Sequence, residues 1–278
     1  MMMQKPKVSV LLPTYNGARF ITKAIESVLK QSFNDFELIV INDGSSDYTP
    51  KIVEEFVHKD SRVVFAKNGE NLGIQKTLNK GLGLAKGEYI ARVDDDDEWV
   101  DRNKLSEQVA FLNENPEHVL VGTGVIMVDE NRNELFRFLQ PTQDKLIRSR
   151  ILFKSCFTHS SVLFRKESIM NLGGYSEDEK HRHVEDYYLW LRLGNVGKLY
   201  NLSTYGTKFM LRGEAISARH KKEQFKKNIG LVKTFRHDYP HYLKALLFGY
   251  VRYFTYAIYK VLPSRFLKHS VLRVYKNI

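Results

Sequence analysis

The sequence contains a single cysteine, Cys156, among 278 residues. One thiol can form neither an intrachain disulfide framework nor a thiolate metal cluster, and such a composition fits a reducing cytosol. As a nucleophile Cys156 would need an activating partner, and the nearby His159 does not by its spacing establish a catalytic pair. The apolar run from Val8 to Leu12 is too short for the core of a signal peptide, so we expect a cytoplasmic protein.

Acidic residues are nearly missing from the C-terminal part of the chain. Residues 219–278 contain 14 Lys and Arg but only Glu223 and Asp238, whereas the whole chain has a net charge of +11. Residues 1–218 are therefore almost neutral. This asymmetry predicts a domain followed by a basic extension, and it favours an anionic partner, either a membrane surface or nucleic acid.

The chain also lacks a glycine-rich phosphate-binding loop after its first predicted strand. The run Gly81–Gly87 contains several glycines, but it follows a predicted helix and has no Lys-Ser/Thr pair. Backbone amides of a glycine loop are therefore not expected to bind phosphate. Carboxylates and a metal ion remain as the alternative.

Hydrophobic periodicity predicts alternating strands and helices in the first third of the chain. Short apolar runs indicate strands, and turn residues separate them from segments of helical spacing. The predicted strands are 8–12, 36–41, 62–66 and 88–93, and the predicted helices are 20–29, 50–57 and 74–85. This order predicts an α/β fold with a doubly wound, mostly parallel sheet.

Polar clusters follow three of these strands, at 13–16, 43–47 and 94–97. Ligands in open parallel sheets bind outside the carboxyl ends of the strands, so we expect the clusters to meet in one site. The third cluster is Asp94-Asp95-Asp96-Asp97. Adjacent like charges are unfavourable without a positive partner, and Mg²⁺ or Mn²⁺ on substrate phosphates would supply one. The alternative is a solvated acidic turn.

Several motifs together resemble family-2 glycosyltransferases of the GT-A fold. They are VSVLLPTYN at 8–16, VINDGSSD at 40–47, ENLG at 70–73, GEYIARVDDDD at 87–97 and EDYYLWLRL at 185–193. The resemblance extends from about residue 6 to residue 218. It implies an inverting enzyme with a nucleotide-sugar donor and a Mn²⁺ or Mg²⁺ ion. It further implies a Rossmann-like nucleotide-sugar half at about 1–98 and an acceptor and catalytic-base half at about 99–218.

The resemblance assigns the donor side residue by residue. Asp43 matches the carboxylate that accepts a base N–H, which favours uracil, although an Asx turn before Gly44 explains the same residue structurally. Asp96 matches the metal ligand. The remaining matches are Pro13, Thr14 and Tyr15 beside the nucleobase, Asn71 and Lys76 near the base and phosphates, and Asp94 or Asp95 towards the ribose.

On the acceptor side, Asp186 matches the base that deprotonates the acceptor hydroxyl. The alternative is that Glu185 and Asp186 form only the acidic first turn of a helix. His159, Arg165 and residues 173–175 match a segment that builds the acceptor side. Arg212 stands where many relatives have a histidine. A guanidinium can pair with phosphate oxygens but cannot ligate the metal.

The C-terminal extension contains two predicted helices. The first, Tyr242 to Leu262, is apolar but has Arg252 at its centre, which would cost roughly 2.5–3.5 kcal/mol in mid-bilayer. An in-plane or core-packed helix is therefore expected. After Pro263, helical spacing puts basic residues on one side and apolar residues on the other, as in a membrane-surface anchor. The alternative is that both helices pack on the catalytic domain with a solvated basic face.

Together these features predict a peripheral enzyme on the inner face of the cytoplasmic membrane, held to anionic lipid by residues 241–278. It would move a sugar from a UDP-sugar to a glycan or a lipid-linked saccharide. Transfer to a polyprenyl phosphate is an alternative, but such relatives usually have an acidic residue at the position of Gly17 and a glutamine at that of Glu98. A sugar nucleotidyltransferase would need a better glycine-rich, arginine-containing loop than 15–19. No nucleic-acid-binding signature is present.

Overall fold

A computed structural model gives the structure of residues 5–212 and 220–261, with side chains described through Ala257. The strands are β1 (Val8–Thr14), β2 (Phe36–Asn42), β3 (Val63–Lys67), β4 (Tyr89–Arg92), β5 (Glu98–Trp99), β6 (His118–Val128), β7 (Glu134–Phe138), β8 (Leu163–Arg165) and β9 (Lys198–Met210). The helices are α1 (Ile21–Leu29), α2 (Thr49–Lys59), α3 (Ile74–Leu84), α4 (Lys104–Glu114), α5 (Asp144–Arg150), α6 (Lys166–Asn171), α7 (Glu185–Val196), α8 (Lys221–Thr234) and α9 (Tyr242–Val261).

The strands form one mixed sheet in the order β3-β2-β1-β4-β8-β6-β9-β5, with β7 paired to β6. Strands β1 to β4 are mutually parallel. Strand β8 runs antiparallel to both β4 and β6. The predicted α/β class with a mostly parallel sheet is confirmed, and β8 joins its two halves.

Helices cover both faces of the sheet because each buried strand presents alternate residues to opposite sides. Val10 and Leu12 of β1 face a core shared with α1, α2 and α4. Leu11 faces a second core, which contains residues of α3 and of α5 to α9. The nucleotide-binding half and the C-terminal helices therefore share apolar contacts on one side of the sheet.

Every strand and helix predicted between residues 8 and 93 is present, with ends within two residues of the expected positions. The carboxyl ends of β1, β2 and β4 lie side by side, since β1 pairs with both neighbours. The backbone N–H of Asp43 donates to Thr14 O at 2.8 Å, which joins the ends of β1 and β2. The three predicted polar clusters therefore do converge on one edge.

Helices α8 and α9 pack on the same core as α7. Leu231, Phe235 and Ala245 are buried there, and Tyr239 Oη donates to Leu191 O at 2.7 Å. Within the part of the chain that the structure describes, no helix has the length and apolar character needed to cross a bilayer. The predicted basic helix after Pro263 lies outside the described residues.

Candidate active site

Two arginines contact the carboxylate loop Asp94–Asp97 that follows β4. Arg92, at the end of β4, is fully buried, and its Nη2 donates to Asp94 Oδ1 at 2.6 Å. Arg212, just after β9, places Nη2 2.5 Å from Asp96 Oδ2. The chain thus provides part of the positive charge that this loop requires.

Asp95 lies against the loop that follows β1. Thr14 Oγ1 donates to Asp95 Oδ2 at 2.6 Å. A Cβ atom on Gly17 would lie 2.2 Å from the same oxygen and 2.5 Å from Thr14 Oγ1, so a larger residue would require these side chains to move. Burial, with the charge of Asp96 adding, raises the pKa of Asp95 to about 7.

Asp97 is buried, and only one of its oxygens has a partner among the described residues. Oδ1 accepts the Met210 N–H at 3.0 Å, whereas Oδ2 accepts no hydrogen bond. Burial raises the pKa of Asp97 well above its usual range, and the charges of Asp96 and Asp94 add to this. Burial also raises the pKa of Asp96. Crowded carboxylate oxygens with raised pKa values fit a hard divalent cation, which would favour their ionised form.

Asp43 organises the loop between β3 and α3. Its Oδ1 accepts hydrogen bonds from Asn68 Nδ2 at 2.7 Å and from Leu72 N at 2.9 Å, and its Oδ2 accepts one from Gly73 N at 2.9 Å. Asn71 lies exposed in the same loop, where its Oδ1 accepts from Gly73 N at 3.1 Å. The buried Asp43 carboxylate therefore has a structural role. This role is compatible with the expected one in base recognition.

The other expected donor-side residues border the same edge of the sheet. Pro13 is buried in β1, and Tyr15, which follows the strand, exposes 51% of its surface. Lys76 is exposed in the first turn of α3. Asn16 ties the loops after β1 and β2 together, since its N–H donates to Ser45 Oγ at 2.9 Å. Because Tyr15 and Lys76 are exposed, both side chains can contact a ligand at this edge without a change in the fold.

Two carboxyls begin α7: that of Glu185 is buried and that of Asp186 is partly buried. Burial raises the pKa of Asp186 to about 6, the charge of Asp94 raises it further, and Arg92 opposes this. Burial and the adjacent Asp186 raise the pKa of Glu185 to about 7. The structure thus brings Asp186 into the electrostatic range of the Asp94 loop. A carboxylate with a pKa of about 6 is suited to accept a proton near neutral pH.

His159 lies between these two groups of carboxylates. Its Nε2 is 2.9 Å from Tyr175 Oη, and its ring meets that of Trp190 edge to face at 5.7 Å. Burial, with the positive charge of Arg92 adding, lowers the pKa of His159 to about 3, so its ring is neutral at pH 7. Burial raises the pKa of the Cys156 thiol to about 12, which removes it as a nucleophile.

Arg165 requires a correction, because the structure does not place it at this site. It pairs with Tyr89, at the amino end of β4, whereas Asp94 follows the carboxyl end. Its Nη2 donates to Leu112 O at 2.6 Å and its Nε to His118 O at 2.9 Å. Arg165 therefore fastens α4 and β6 to the far end of the sheet and is not brought together with the carboxylate loop.

Sequence reasoning missed several residues that shape the site. Ser160 Oγ accepts the Asp94 N–H at 2.9 Å and donates to Asp94 Oδ2 at 3.2 Å. Arg132, in the turn after β6, forms an ion pair with Glu98. Only Arg92 carried a usable signal, since a charged residue inside a buried strand needs a partner. The others lie far along the chain from the carboxylates and belong to no local pattern.

A family model described as Glycosyl transferase family 2 matches residues 9–173, more than half of the chain. The chain belongs to this family. The putative glycosyltransferase EpsE of Bacillus subtilis is 36% identical over 199 residues, which cover 71% of this chain and 70% of the relative. The UDP-Glc:alpha-D-GlcNAc-diphosphoundecaprenol beta-1,3-glucosyltransferase WfgD of Escherichia coli is 32% identical over 219 residues, covering 78% and 81%.

Solved glycosyltransferase structures share the fold. S. aureus TarS, solved as residues 1–349 in complex with UDP, matches 90% of this chain and 72% of its own at a TM-score of 0.68 and 21% identity. The mannosyltransferase PcManGT of Pyrobaculum calidifontis, solved with GDP-Man and Mn²⁺, matches 99% and 80% at 0.66 and 18%. These similarities confirm the GT-A type of architecture for this glycosyltransferase.

The raised pKa of Asp95 predicts a pH-dependent stability difference. Its folded pKa of about 7 exceeds the unfolded value of about 3.9, so this group's stabilising contribution is lost as pH rises between them. Asp95→Asn keeps an acceptor oxygen for Thr14 but cannot ionise. In EDTA at pH 8 its Tm should exceed that of the wild type by at least about 2 °C, since 1 kcal/mol shifts Tm by roughly 2–4 °C at this size.

The difference in Tm should shrink as pH falls towards 4. Asp35→Asn, at an exposed position at the opposite end of the sheet, serves as the control and should follow the wild type. Thermal unfolding by circular dichroism measures both. An equal difference for Asp95→Asn at pH 8 and pH 4.5 would contradict the assigned pKa.

Proposed function

We propose that this glycosyltransferase transfers a sugar from a UDP-sugar to a saccharide or lipid-linked saccharide acceptor, with inversion and with Asp186 as the base. One observation carries the proposal. Side-chain contacts join the carboxylate loop after β4 to α7, which carries the Glu185–Asp186 pair: Ser160 Oγ donates to Asp94 Oδ2 at 3.2 Å, and the ring of the adjacent His159 meets that of Trp190 edge to face at 5.7 Å. A donor site and a base must be arranged in this way for direct displacement at the anomeric carbon.

The assignment of UDP rests on two supports. WfgD, whose name specifies UDP-Glc, is 32% identical over most of both chains. In this chain the N–H of the buried Asp43 donates to the carbonyl of Thr14, which precedes the exposed Tyr15, and a carboxylate at this edge can accept the N–H of uracil. The name of WfgD also specifies a diphosphoundecaprenol-linked acceptor, which supports a lipid-linked saccharide here.

Asp96, with Asp94 or Asp95 nearby, would hold the divalent cation. When bound, a Mn²⁺ or Mg²⁺ ion supplies Lewis-acid stabilisation to the departing diphosphate. The Arg212 guanidinium that contacts Asp96 at 2.5 Å can also pair with phosphate oxygens, because its planar donors match their geometry. Arg212 therefore binds and orients the diphosphate in this proposal.

Asp186 accepts the proton of the acceptor hydroxyl as that oxygen attacks the anomeric carbon. The pKa of about 6 leaves Asp186 mostly ionised at neutral pH while keeping it a stronger base than an exposed aspartate. Its Oδ1 accepts the Tyr187 N–H at 2.6 Å, which fixes the carboxylate at the start of α7. The neighbouring Glu185 has a pKa of about 7, so near neutral pH it is partly protonated and the pair carries less than two negative charges.

Transfer to a bare polyprenyl phosphate is disfavoured by the packing around Gly17. The acidic side chain that such relatives carry at this position would begin 2.2 Å from Asp95 Oδ2 and 2.5 Å from Thr14 Oγ1. The Glu98 carboxylate, which replaces their glutamine, is engaged by Arg132. The residues at positions 17 and 98, which differ from those of such relatives, therefore both fit the contacts around them.

Membrane association forms the second part of the proposal, and α9 supports it. Ala245 is buried, and Phe248 meets Phe153 edge to face at 5.8 Å, so one side of the helix packs on the domain. The opposite side exposes an apolar stripe: Leu243, Leu247, Val251 and Phe254, which are 50–75% exposed. An apolar outer face on a basic extension suits an anionic lipid surface of the inner leaflet.

The metal assignment predicts that Asp96→Ala loses metal-dependent nucleotide binding. The wild type should bind UDP at least about 10-fold more tightly with Mn²⁺ than with EDTA, because the carboxylate loop would hold the cation. Asp96→Ala should abolish this difference, whereas Asp35→Ala should retain it. Isothermal calorimetry gives both affinities, and a UDP affinity indifferent to EDTA and to Asp96→Ala would refute the assignment.

The base assignment predicts that Asp186→Asn lowers transfer by about 10²–10⁴-fold while UDP binding persists. Transfer by the wild type should rise with pH through about 6, as Asp186 ionises. Release of nucleotide from a panel of UDP-sugars, with GDP-mannose for comparison, measures the rate. Glu179→Gln, an exposed change shortly before α7, is the control. Near-normal transfer by Asp186→Asn, with loss in Glu185→Gln, would move the role to Glu185.

The lipid-binding assignment predicts that Leu247→Glu/Phe254→Glu weakens sedimentation with anionic vesicles. Each apolar side chain buried in lipid contributes about 1.5–3 kcal/mol, so the partition should fall at least about 10-fold. High salt should weaken wild-type binding only partly, because the stripe is apolar. Val57→Glu, on the opposite layer of the sheet, is the matched control. Unchanged sedimentation of the double variant would show that this stripe does not contact lipid.

A further inference from the structure

A cluster of metal-binding side chain types lies away from the Asp94 loop, where α8 meets the segment before α7. One ligand atom each from His183, His220 and Glu223 lies within 4.8 Å of the others; His183 and Glu223 are partly buried, and His220 is exposed. His183 and His220 stack with ring centroids 4.1 Å apart. We propose that these three side chains form a zinc site that joins the C-terminal helices to the segment carrying the catalytic base.

The ligand types and their spacing favour zinc over the harder cations. Two imidazoles and a carboxylate form a set that Zn²⁺ commonly uses with a water as fourth ligand, whereas Mg²⁺ prefers oxygen alone. His220 Nδ1 lies 3.4 Å from Glu223 Oε2. Two ligands about 2.0–2.2 Å from a tetrahedral zinc are themselves roughly 3.3–3.5 Å apart. This pair therefore already has the separation that the metal requires.

The Nδ1 atom of His183 is available to a metal ion. It is buried and makes no hydrogen bond among the described residues. The His183 backbone has a φ of +69°, in the left-handed region that few residues other than glycine adopt, and Gln224 Nε2 donates to its carbonyl at 2.9 Å.

Lys227 holds the Glu223 carboxylate in place through an ion pair. Its ammonium lies 2.7 Å from Glu223 Oε1 and donates to Glu179 O at 2.7 Å and to Arg182 O at 2.9 Å. This use of all three donors leaves Glu223 Oε2 directed at His220. A metal lies in the plane of each imidazole it binds, so the stacked rings must tilt on binding. The side chain of His220 is 44% exposed and has room to do so.

The position of the cluster gives such a site a role for the enzyme. His183 precedes the Glu185–Asp186 pair by two residues, and His220 and Glu223 lie at the start of α8. A bound zinc would cross-link these segments and restrict the movement of the α7 N-terminus. The site is separate from the carboxylate loop and takes a different class of cation.

Zinc titration of the full-length protein in excess Mg²⁺ tests this inference. The wild type should bind one tight equivalent of Zn²⁺, and Co²⁺ in its place should give the visible absorption of a four-coordinate site. His183→Gln and His220→Gln should each weaken this binding by more than about 100-fold, beyond the usual second-shell effect. His58→Gln, at an exposed position on α2, should bind as the wild type does.

His220→Gln keeps the test decisive if His183→Gln is poorly folded, since His220 is the more exposed ligand; circular dichroism establishes which variants are folded. Loss of the tight zinc equivalent in the folded histidine variants, with its retention in His58→Gln, supports the site. Absence of a tight equivalent in the wild type overturns it. Retention of that equivalent in folded His220→Gln overturns it equally, because the zinc would then be bound elsewhere.

Discussion

The crowding of four consecutive carboxylates at the end of β4 is the constraint on which the rest of the site depends. Buried like charges raise one another's pKa values, and here three of the four carboxyls are shifted upwards. The fourth, Asp94, has a lowered pKa despite burial, chiefly because Arg92 lies beside it. The chain therefore offsets the charge of Asp94 with Arg92 and that of Asp96 with Arg212, whereas the pKa values of Asp95, Asp96 and Asp97 stay raised.

Arg92 acts electrostatically on both this loop and Asp186. Its guanidinium opposes the rise in the pKa of Asp186 and adds to burial in lowering the pKa of His159, so a single buried charge acts on both halves of the fold. Ser160 bonds to Asp94, and its carbonyl accepts Trp99 Nε1 at 2.8 Å.

The C-terminal helices pack on the domain as well as forming a basic extension. α8 contacts the segment before α7 through Lys227 and Gln224, and α9 continues the core through Ala245. The outer face of α9 is apolar although the extension as a whole is strongly basic. One face of α9 therefore packs on the domain, and its opposite, apolar face is exposed.

The sequence by itself determined the alternation of strands and helices up to residue 93 and the polar ends of β1, β2 and β4. These features depend on local periodicity and turn residues, which are written along the chain. Family motifs also nominated Asp96 and Asp186, but no local pattern shows that the two loops meet.

Only the tertiary structure decided which distant side chains share the site. Arg212 reaches Asp96 because β9 ends beside the carboxylate loop, and the Asp95 carboxylate occupies the space where a side chain at position 17 would begin. Arg165 was misplaced because β8 runs antiparallel to β4, which takes its last residue to the opposite end of the sheet. The direction of a strand and its neighbours in the sheet depend on packing between distant segments, and hydrophobic periodicity does not predict them.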